Sequence, residues 1–292
     1  MSYVLRPASP SDAGALAALG LDVLGPRGLT EADLFVYPHR EAWLAERGGA
    51  VVSALRLCTS HVSGQALLTD LTGDEGALLA LVDEVGHAAL GTGATHVRAA
   101  APTGAPLTAR LASSGFVAQR RVVHVRWHLP TTPPGNPPAD VRCELEQPDP
   151  EEYAELAVEA YKGSWDWLFE HWGGDVAARR NFARLFEAPR AERFIAAREG
   201  RLLKGFVSAG DGDVLPGDFS TFGVLVHPGA RGRGIGGHLL LLALDLLARR
   251  GARQADMHTT APPQGDPPAV RLYLRSGQRV QDMSILRQIP RS

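Results

Sequence analysis

The residues best suited to chemistry are two arginines set among five glycines: residues 226–240 read VHPGARGRGIGGHLL. Glycine leaves backbone N–H groups uncovered by a Cβ, and Arg231 and Arg233 add charge-assisted donors. The flanks say where this loop sits. FGVLV (222–226) is an apolar, partly β-branched run that predicts a buried strand. GIGGHLLLLALDLLARRGA predicts a helix, with Arg249 and Arg250 in its last turn and Gly251 as its stop. The loop therefore joins strand to helix. Its glycines Gly232, Gly234, Gly236 and Gly237, with Ile235 between them, fall at the first helical turn. Unpaired amides and the positive end of the helix dipole point outward there, an arrangement that seats a di- or polyphosphate.

Of two common phosphate signatures one is excluded, and the other, a nicotinamide-dependent protein using Gly232, Gly234 and Gly237, is the less favoured reading. No Gly-Lys-Ser/Thr follows, which excludes a Walker loop. Gly232, Gly234 and Gly237 do satisfy G-x-G-x-x-G, with Asp256 downstream. However, His227–Arg231 separate the strand from the first glycine, and only 55 residues follow Gly237, too few for a large parallel dinucleotide-binding sheet.

The elements that must carry this loop read as a mixed α/β fold. In the second half, strands are predicted near 192–198, 202–209 and 218–226, then a helix over 234–250 and a strand over 253–259. A helix over 267–276 and a last strand over 279–289 complete that half. Residues 131–140, TTPPGNPPAD, hold four prolines and one glycine and form neither helix nor central strand. This segment is the expected linker between domains 1–130 and 141–292.

The two parts are alike. Each opens with a strand and a helix start rich in Pro, Ser and Asp, YVLRP then SPSDAGALAALG, and VRCELEQP then DPEEYAELAVEA. Near its end each runs Gly-Ala, a short strand, Ala-Pro, a loop, a helix closing on Ser-Gly, and a final strand. The closing glycines, Gly115 and Gly277, are expected at left-handed C′ positions. Such self-similarity indicates a duplicated domain.

Composition bounds the rest. The chain has 292 residues, 45% hydrophobic and 21% charged, with a formal net charge of −2, which argues against a general nucleic-acid binder. Cys58 and Cys143 form no C-x-x-C pair and no metal-ligand pattern, so no metal site is expected, and reduced cysteines fit a cytoplasmic protein. The N-terminus lacks the apolar core of a signal peptide, and the run Leu239–Leu244 is too short to cross a bilayer, so no membrane partner is expected.

The loop resembles the acetyl-CoA loop of the GNAT N-acetyltransferase superfamily, Val-x-Pro, two residues, then Gln/Arg-x-x-Gly-x-Gly/Ala. It stands here as Val226, Pro228, Arg231, Gly234 and Gly236. About 40 residues on, a second family pattern, N-x-x-A-x-x-L-Y followed by glycine, stands as Asp266, Ala269, Leu272, Tyr273 and Gly277. Asp266 replaces the usual Asn, and Gln278 the usual Phe. The resemblance covers about 141–292 and, more weakly, the first half; the layout is similar to that of tandem acetyltransferases, a group that includes mycothiol synthase.

It implies acetyl transfer from acetyl-CoA, as cosubstrate, to the primary amine of a small molecule or peptide by direct attack. A non-catalytic acyl-CoA-binding sensor or scaffold is the alternative. The pyrophosphate would lie on the amides of about Arg231–Gly237 and the pantetheine arm along Gly223–Val226. A backbone N–H near Leu225 or Val226 would meet the oxyanion. Tyr273 matches the family's general acid for the departing thiolate. Asp218 stands where the family often has a glutamate base, with a water chain from Asp218, Ser220 or Thr221 as another route. His227 and His258 flank the implied cleft as further options. YKGSWDWLFEHWGG (161–174) falls where the family builds its acceptor pocket, which makes Trp165 and Trp167 acceptor-wall or helix-core residues and Asp166 and Glu170 partners for a cationic amine.

At the matching position the first half has no Arg or Lys between Arg56 and Arg98. It places Asp70, Asp74 and Glu75 in the phosphate region and Leu111 where the second half has Tyr273. Like charge repels pyrophosphate, so the first half is expected to be a degenerate copy. A tandem pair also fills the place of a dimer, which points to a monomer.

Overall fold

The computed structural model describes residues 3–21, 39–60, 64–164, 174–187, 193–209 and 223–288. The chain divides into two compact units, 1–122 with 282–292, and 123–281.

The first unit holds β1 (Val4–Pro7), α1 (Ala13–Ala18), β2 (His39–Arg47), β3 (Ala50–Ser60), β4 (Gln65–Gly73), α2 (Glu75–Gly91), β5 (His96–Pro102) and α3 (Pro106–Ser113). β1 to β4 pair antiparallel in sequence order, and β4 and β5 pair in parallel. Parallel neighbours need a crossover, and α2 supplies it. Its Leu78, Leu81, Val82 and Val85 pack on Leu55, Leu68 and Ala99 of the strands. Burying a side chain of this size is worth about 1.5–3 kcal/mol.

The second unit holds β7 (Arg142–Glu146), α4 (Pro150–Tyr161), α5 (Asp175–Glu187), β8 (Arg193–Glu199), β9 (Leu202–Ala209), β10 (Leu225–Val226), α6 (Ile235–Arg249), β11 (Gln254–Ala261) and α7 (Pro268–Tyr273). β10, β9, β8 and β7 form one sheet in that order, whereas β11 belongs to another. α4 starts where Asp149 caps the amides of Glu151 and Glu152 and Pro150 fills the first helical position. Leu239, Leu240, Ala243, Leu244 and Leu247 of α6 are buried with Ile195, Val207, Ala255 and Met257.

The last strands of the two halves differ from the sequence expectation. β6 (Phe116–His128) ends the first half, yet its residues 123–128 lie in the second unit, where β6 neighbours β11. β12 (Gln278–Gln288) ends the second half, yet residues from Asp282 onward lie in the first unit, antiparallel to β5 with Met283 opposite Pro102 and Arg287 opposite Arg98. An alternating pattern specifies a strand and its inward face, not the edge on which it pairs. The segment 131–140 contains neither helix nor strand.

Gly115 has the expected left-handed φ of 94°. Gly277 is not in that region: its amide continues a helical turn to the Tyr273 carbonyl at 2.9 Å. A glycine stands there because a Cβ would come within 2.7 Å of the Trp127 indole. Neither cysteine is in a disulfide. Among the described residues no cluster of three or more His, Cys, Asp or Glu could hold a metal ion, and no helix is long and apolar enough to cross a membrane.

Candidate active site

The Arg/Gly loop leaves β10 through a short 3-10 turn, Pro228–Ala230, that Pro228 opens and His227 caps by accepting the Gly229 amide at 3.1 Å. Gly234 then starts α6 with φ 85° and ψ −4°, a conformation that L side chains adopt only at a cost. Among the described residues, the amides of Gly232, Arg233, Gly234, Ile235, Gly236 and Gly237 meet no protein acceptor; the first helical bond is His238 to the Gly234 carbonyl, 3.1 Å. Six donors thus follow one another at a helix N-terminus, an arrangement that suits a diphosphate.

The two arginines have partners of different kinds: neutral carbonyls for Arg231 and a carboxylate for Arg233. Arg231 donates from Nη2 to the Ala160 carbonyl at the end of α4, 2.8 Å, and from Nε to the Val226 carbonyl, 3.3 Å. It ties the loop to α4 and to β10. Arg233 pairs with Glu199 at 3.1 Å, and this hydrogen bond holds the Glu199 carboxyl below its ordinary range. Both arginines make contacts that hold the loop, and the donors it leaves unpaired among the described residues are backbone amides.

Among the described residues, β10 offers an open edge beside the Arg/Gly loop. Leu225 and Val226 pair with Phe206 and Gly205 of β9, and the His227 amide donates to the Lys204 carbonyl at 2.9 Å. In an antiparallel ladder alternate residues turn their amides to the partner strand. The amides of Leu225 and His227 therefore face β9, and those of Val224 and Val226 face away. The Val224 amide accordingly donates to Tyr273 Oη, 3.3 Å. Of the two residues expected near an oxyanion, Val226 faces the open side and Leu225 does not.

Tyr273 ends α7 with 3% of its surface exposed, its ring edge-on to Trp127. Its hydroxyl reaches the open edge because residue 223 is glycine: a Cβ there would lie 3.0 Å from Oη and 3.5 Å from the Met257 sulfur. The loop, the open edge and the phenol are thus brought together. Asp218, Ser220, Thr221, Trp165, Asp166, Trp167 and Glu170 lie outside the described residues. His227 serves as the cap of the 3-10 turn.

His258 stands in a polar group that the sequence reading missed. His124 Nε2 and Arg126 Nε each lie 2.7 Å from Asp256 Oδ1, and the rings of His124 and His258 stack with centroids 4.4 Å apart. The hydrogen bonds hold Asp256 below the ordinary carboxylate range against the opposing effect of burial, and burial pushes His258 down to about 4. The only sequence signal was alternation: His-Val-Arg-Trp (124–127) and Asp-Met-His (256–258) each put two polar groups on one face. The pairing of β6 with β11 that joins those faces was not in the pattern.

The corresponding junction of the first unit is built differently. β4 passes into α2 without a glycine loop, and the Asp74 carboxylate caps the helix by accepting the Ala77 amide at 3.0 Å. An anion of the chain's own occupies the helix start. Leu111, in the place of Tyr273, is a fully buried core residue.

Comparison with known proteins agrees with this layout. Residues 145–277 match the family model described as the acetyltransferase (GNAT) family. No curated protein matches the chain. Among solved structures, the GCN5-related N-acetyltransferase from Sphaerobacter thermophilus superposes with a TM-score of 0.65 at 18% identity, over 98% of this chain and 95% of that one. A tandem GNAT protein from the clavulanic acid biosynthesis pathway superposes with a TM-score of 0.60 at 21% identity, over 100% of both chains. A glucosamine N-acetyltransferase region of a fungal multi-domain GH3 β-N-acetylglucosaminidase gives a TM-score of 0.61 at 16% identity, over 98% of this chain and 38% of that one.

Proposed function

We propose that this chain, whose residues 145–277 match the acetyltransferase (GNAT) family model and whose fold is like that of a tandem GNAT protein, transfers an acetyl group from acetyl-CoA to a primary amine. The observation that carries the reading is the run of six amides without acceptors, Gly232–Gly237, next to an open strand edge that Tyr273 Oη reaches.

When bound there, acetyl-CoA supplies an activated acyl thioester. The amides of Gly232–Gly237 hold the diphosphate, and Arg231 and Arg233 keep them in place from behind. The Val226 N–H, facing away from β9, is the donor available to a carbonyl oxygen that gains charge, and such a donor is worth about 3 kcal/mol in the transition state. Tyr273 holds a proton at Oη for the departing sulfur. The acceptor is a small-molecule or peptide amine, and the chain acts as a monomer in the cytoplasm, without nucleic-acid or membrane partners.

Calorimetric titration of the full chain with acetyl-CoA tests this, with NADH as control and Gly236→Val as the variant. A Cβ on Gly236 meets Leu272 at 3.3 Å and Val226 at 3.5 Å, so a branched side chain crowds the seat. The expected result is one acetyl-CoA per chain, at least about tenfold weaker in the variant, a change of about 1.4 kcal/mol. Two sites per chain would give the first unit a working seat, and binding of NADH in place of acetyl-CoA would overturn the reading.

A further inference from the structure

One face of the β6–β11 pair remains without a role in that account. Val123, Val125 and Trp127 of β6 and Ala255 and Met257 of β11 turn into the core of the second unit. His124, Arg126, Gln254, Asp256 and His258 therefore share the opposite face. Asp256 accepts from His124, from Arg126 and, through Oδ2, from Gln254 at 2.5 Å. With its Nε2 turned to a carboxylate, His124 carries a hydrogen on that nitrogen in either charge state, so its ring is fixed in plane and tautomer. His258 stacks on that fixed ring at an interplanar angle of 24°. Among the described residues the ring nitrogens of His258 have no hydrogen-bond partner.

The place of His258 on β11 is what gives this group a use. Met257, its neighbour in sequence, puts its sulfur beside Gly223, the residue over which Tyr273 Oη reaches the open edge of β10. Successive residues of a strand face opposite ways. Tyr273 and Met257 approach that edge from the core face, and His258, the next residue of β11, turns to the other face. A nucleophile and a leaving group need separate proton carriers, and Tyr273 and His258 are on opposite faces of the strands that border the β10 edge.

We propose that His258 is the proton acceptor for the amine at this site and that His124 and Asp256 are its positioning residues. This rests on the acyl-transfer reading above. The amine lone pair forms the bond to the thioester carbon, the carbon–sulfur bond breaks with its pair going to sulfur, and the proton lost by nitrogen passes to the free lone pair of His258. The thiolate takes its proton from Tyr273 Oη, which is restored from solvent as His258 releases its own. Because burial holds His258 uncharged, it does not repel an incoming cationic amine, which gives one proton to solvent before its lone pair attacks. The charged groups facing it among the described residues are Asp256 and Arg126, with His124 as the other titratable neighbour.

The test uses the full chain. Acetyl-CoA titration comes first, and its failure would remove the function reading itself. Thiol release is then followed with spermidine, tyramine and glucosamine as probe amines. His258→Ala is expected to bind acetyl-CoA as the unaltered chain does but to release thiol about 100-fold more slowly at neutral pH. The gap should close as pH rises towards the pKa of the amine, and added imidazole should restore part of the rate. His124→Gln and Asp256→Asn should lower kcat about tenfold, with KM unchanged and the acid limb of the pH profile displaced. Full activity of His258→Ala, or a loss equal at every pH and not rescued by imidazole, would overturn the proposal. Should none of the three amines be accepted, imidazole 1H–15N spectra decide. The His258 resonances should move on saturation with acetyl-CoA while those of His87, on α2, stay fixed, and an unmoved His258 would equally overturn it.

Discussion

Trp127 and Tyr273 meet edge to face, ring centroids 6.0 Å apart and planes at 87°. One belongs to the strand that ends the first half and the other to the helix that presents the phenol to β10. The Trp127 indole also donates to Ser276 Oγ at 3.1 Å, just past that helix. Phenol and indole can therefore be separated by mutation. Tyr273→Phe keeps the ring contact and removes Oη; kcat for thiol release should fall about 100-fold with acetyl-CoA affinity within about threefold. Trp127→Ala removes a fully buried indole, and denaturant unfolding should show a loss of about 3–5 kcal/mol. Tyr273→Phe with full activity would remove the phenol from the chemistry.

The anion seat is predicted to depend on backbone shape rather than on arginine charge. Gly234→Ala forces an L side chain into a φ of 85°, at a cost of about 1–2 kcal/mol that the loop can relieve only by moving its amides. Acetyl-CoA affinity should fall about tenfold. Arg233→Ala removes a charge already paired with Glu199 and should change affinity by less than about threefold. A larger loss for Arg233→Ala than for Gly234→Ala would return the seat to the arginines.

How far the sequence carried can be judged at these same residues. The glycines announced their loop because bare backbone between an apolar strand and a leucine-rich helix has few other uses. The phenol was placed by the resemblance that Asp266, Ala269, Leu272, Tyr273 and Gly277 carry. The partners of Arg231 and Arg233 were not legible: a guanidinium in a string looks free, and only folding brings the Ala160 carbonyl and the Glu199 carboxylate to it. The role of Gly277 was misread for the same reason, since its requirement comes from Trp127, which stands 150 positions earlier. The alternation of β6 and β12 was plain, but the unit in which each would pair was not. Local pattern reports an element and its face, and partners distant in sequence decide the rest.

The repeat has left a charge-exchanged pair of anchors. In the first unit Arg6 of β1 bridges Asp12 and Glu46, at 2.7 and 2.5 Å. In the second, Glu146 of β7 and Glu152 of α4 both meet Arg198 of β8 at 2.7 Å, and Tyr153 Oη adds a bond to Glu146 at 2.8 Å. Cation and anion have traded strands while the bridge to the first helix is kept. Arg198→Ala leaves Glu146 facing Tyr153 without its cation, and stability should drop by about 3 kcal/mol. The double variant Arg198→Glu with Glu146→Arg should recover part of the loss, because the first unit already uses that polarity. No recovery would mean the equivalence is one of position alone.

Stability should fall on acidification through His258, and the sign follows from burial. The unfolded imidazole titrates near 6.5, whereas in the folded unit burial lowers it to about 4. Between those values the unfolded chain binds a proton that the folded chain does not. The stabilisation is therefore complete above about pH 6.5, declines as pH falls, and is gone below about pH 4, with a total of about 3 kcal/mol from His258 alone. Asp256 and Glu146, both held below their ordinary range, and His238, lowered by burial, act in the same direction. A slope in the unaltered chain thus proves nothing about His258, and the comparison with His258→Gln isolates it. Urea midpoints of both chains at pH 7.5 and 4.5 should show the unaltered chain losing more on acidification, by about 2 kcal/mol. Parallel losses would mean that the imidazole is already open to water in the folded chain. Its use as a proton acceptor would then have to be argued from an exposed ring rather than from one that burial, and then its neighbour His124, hold neutral against the pull of Asp256.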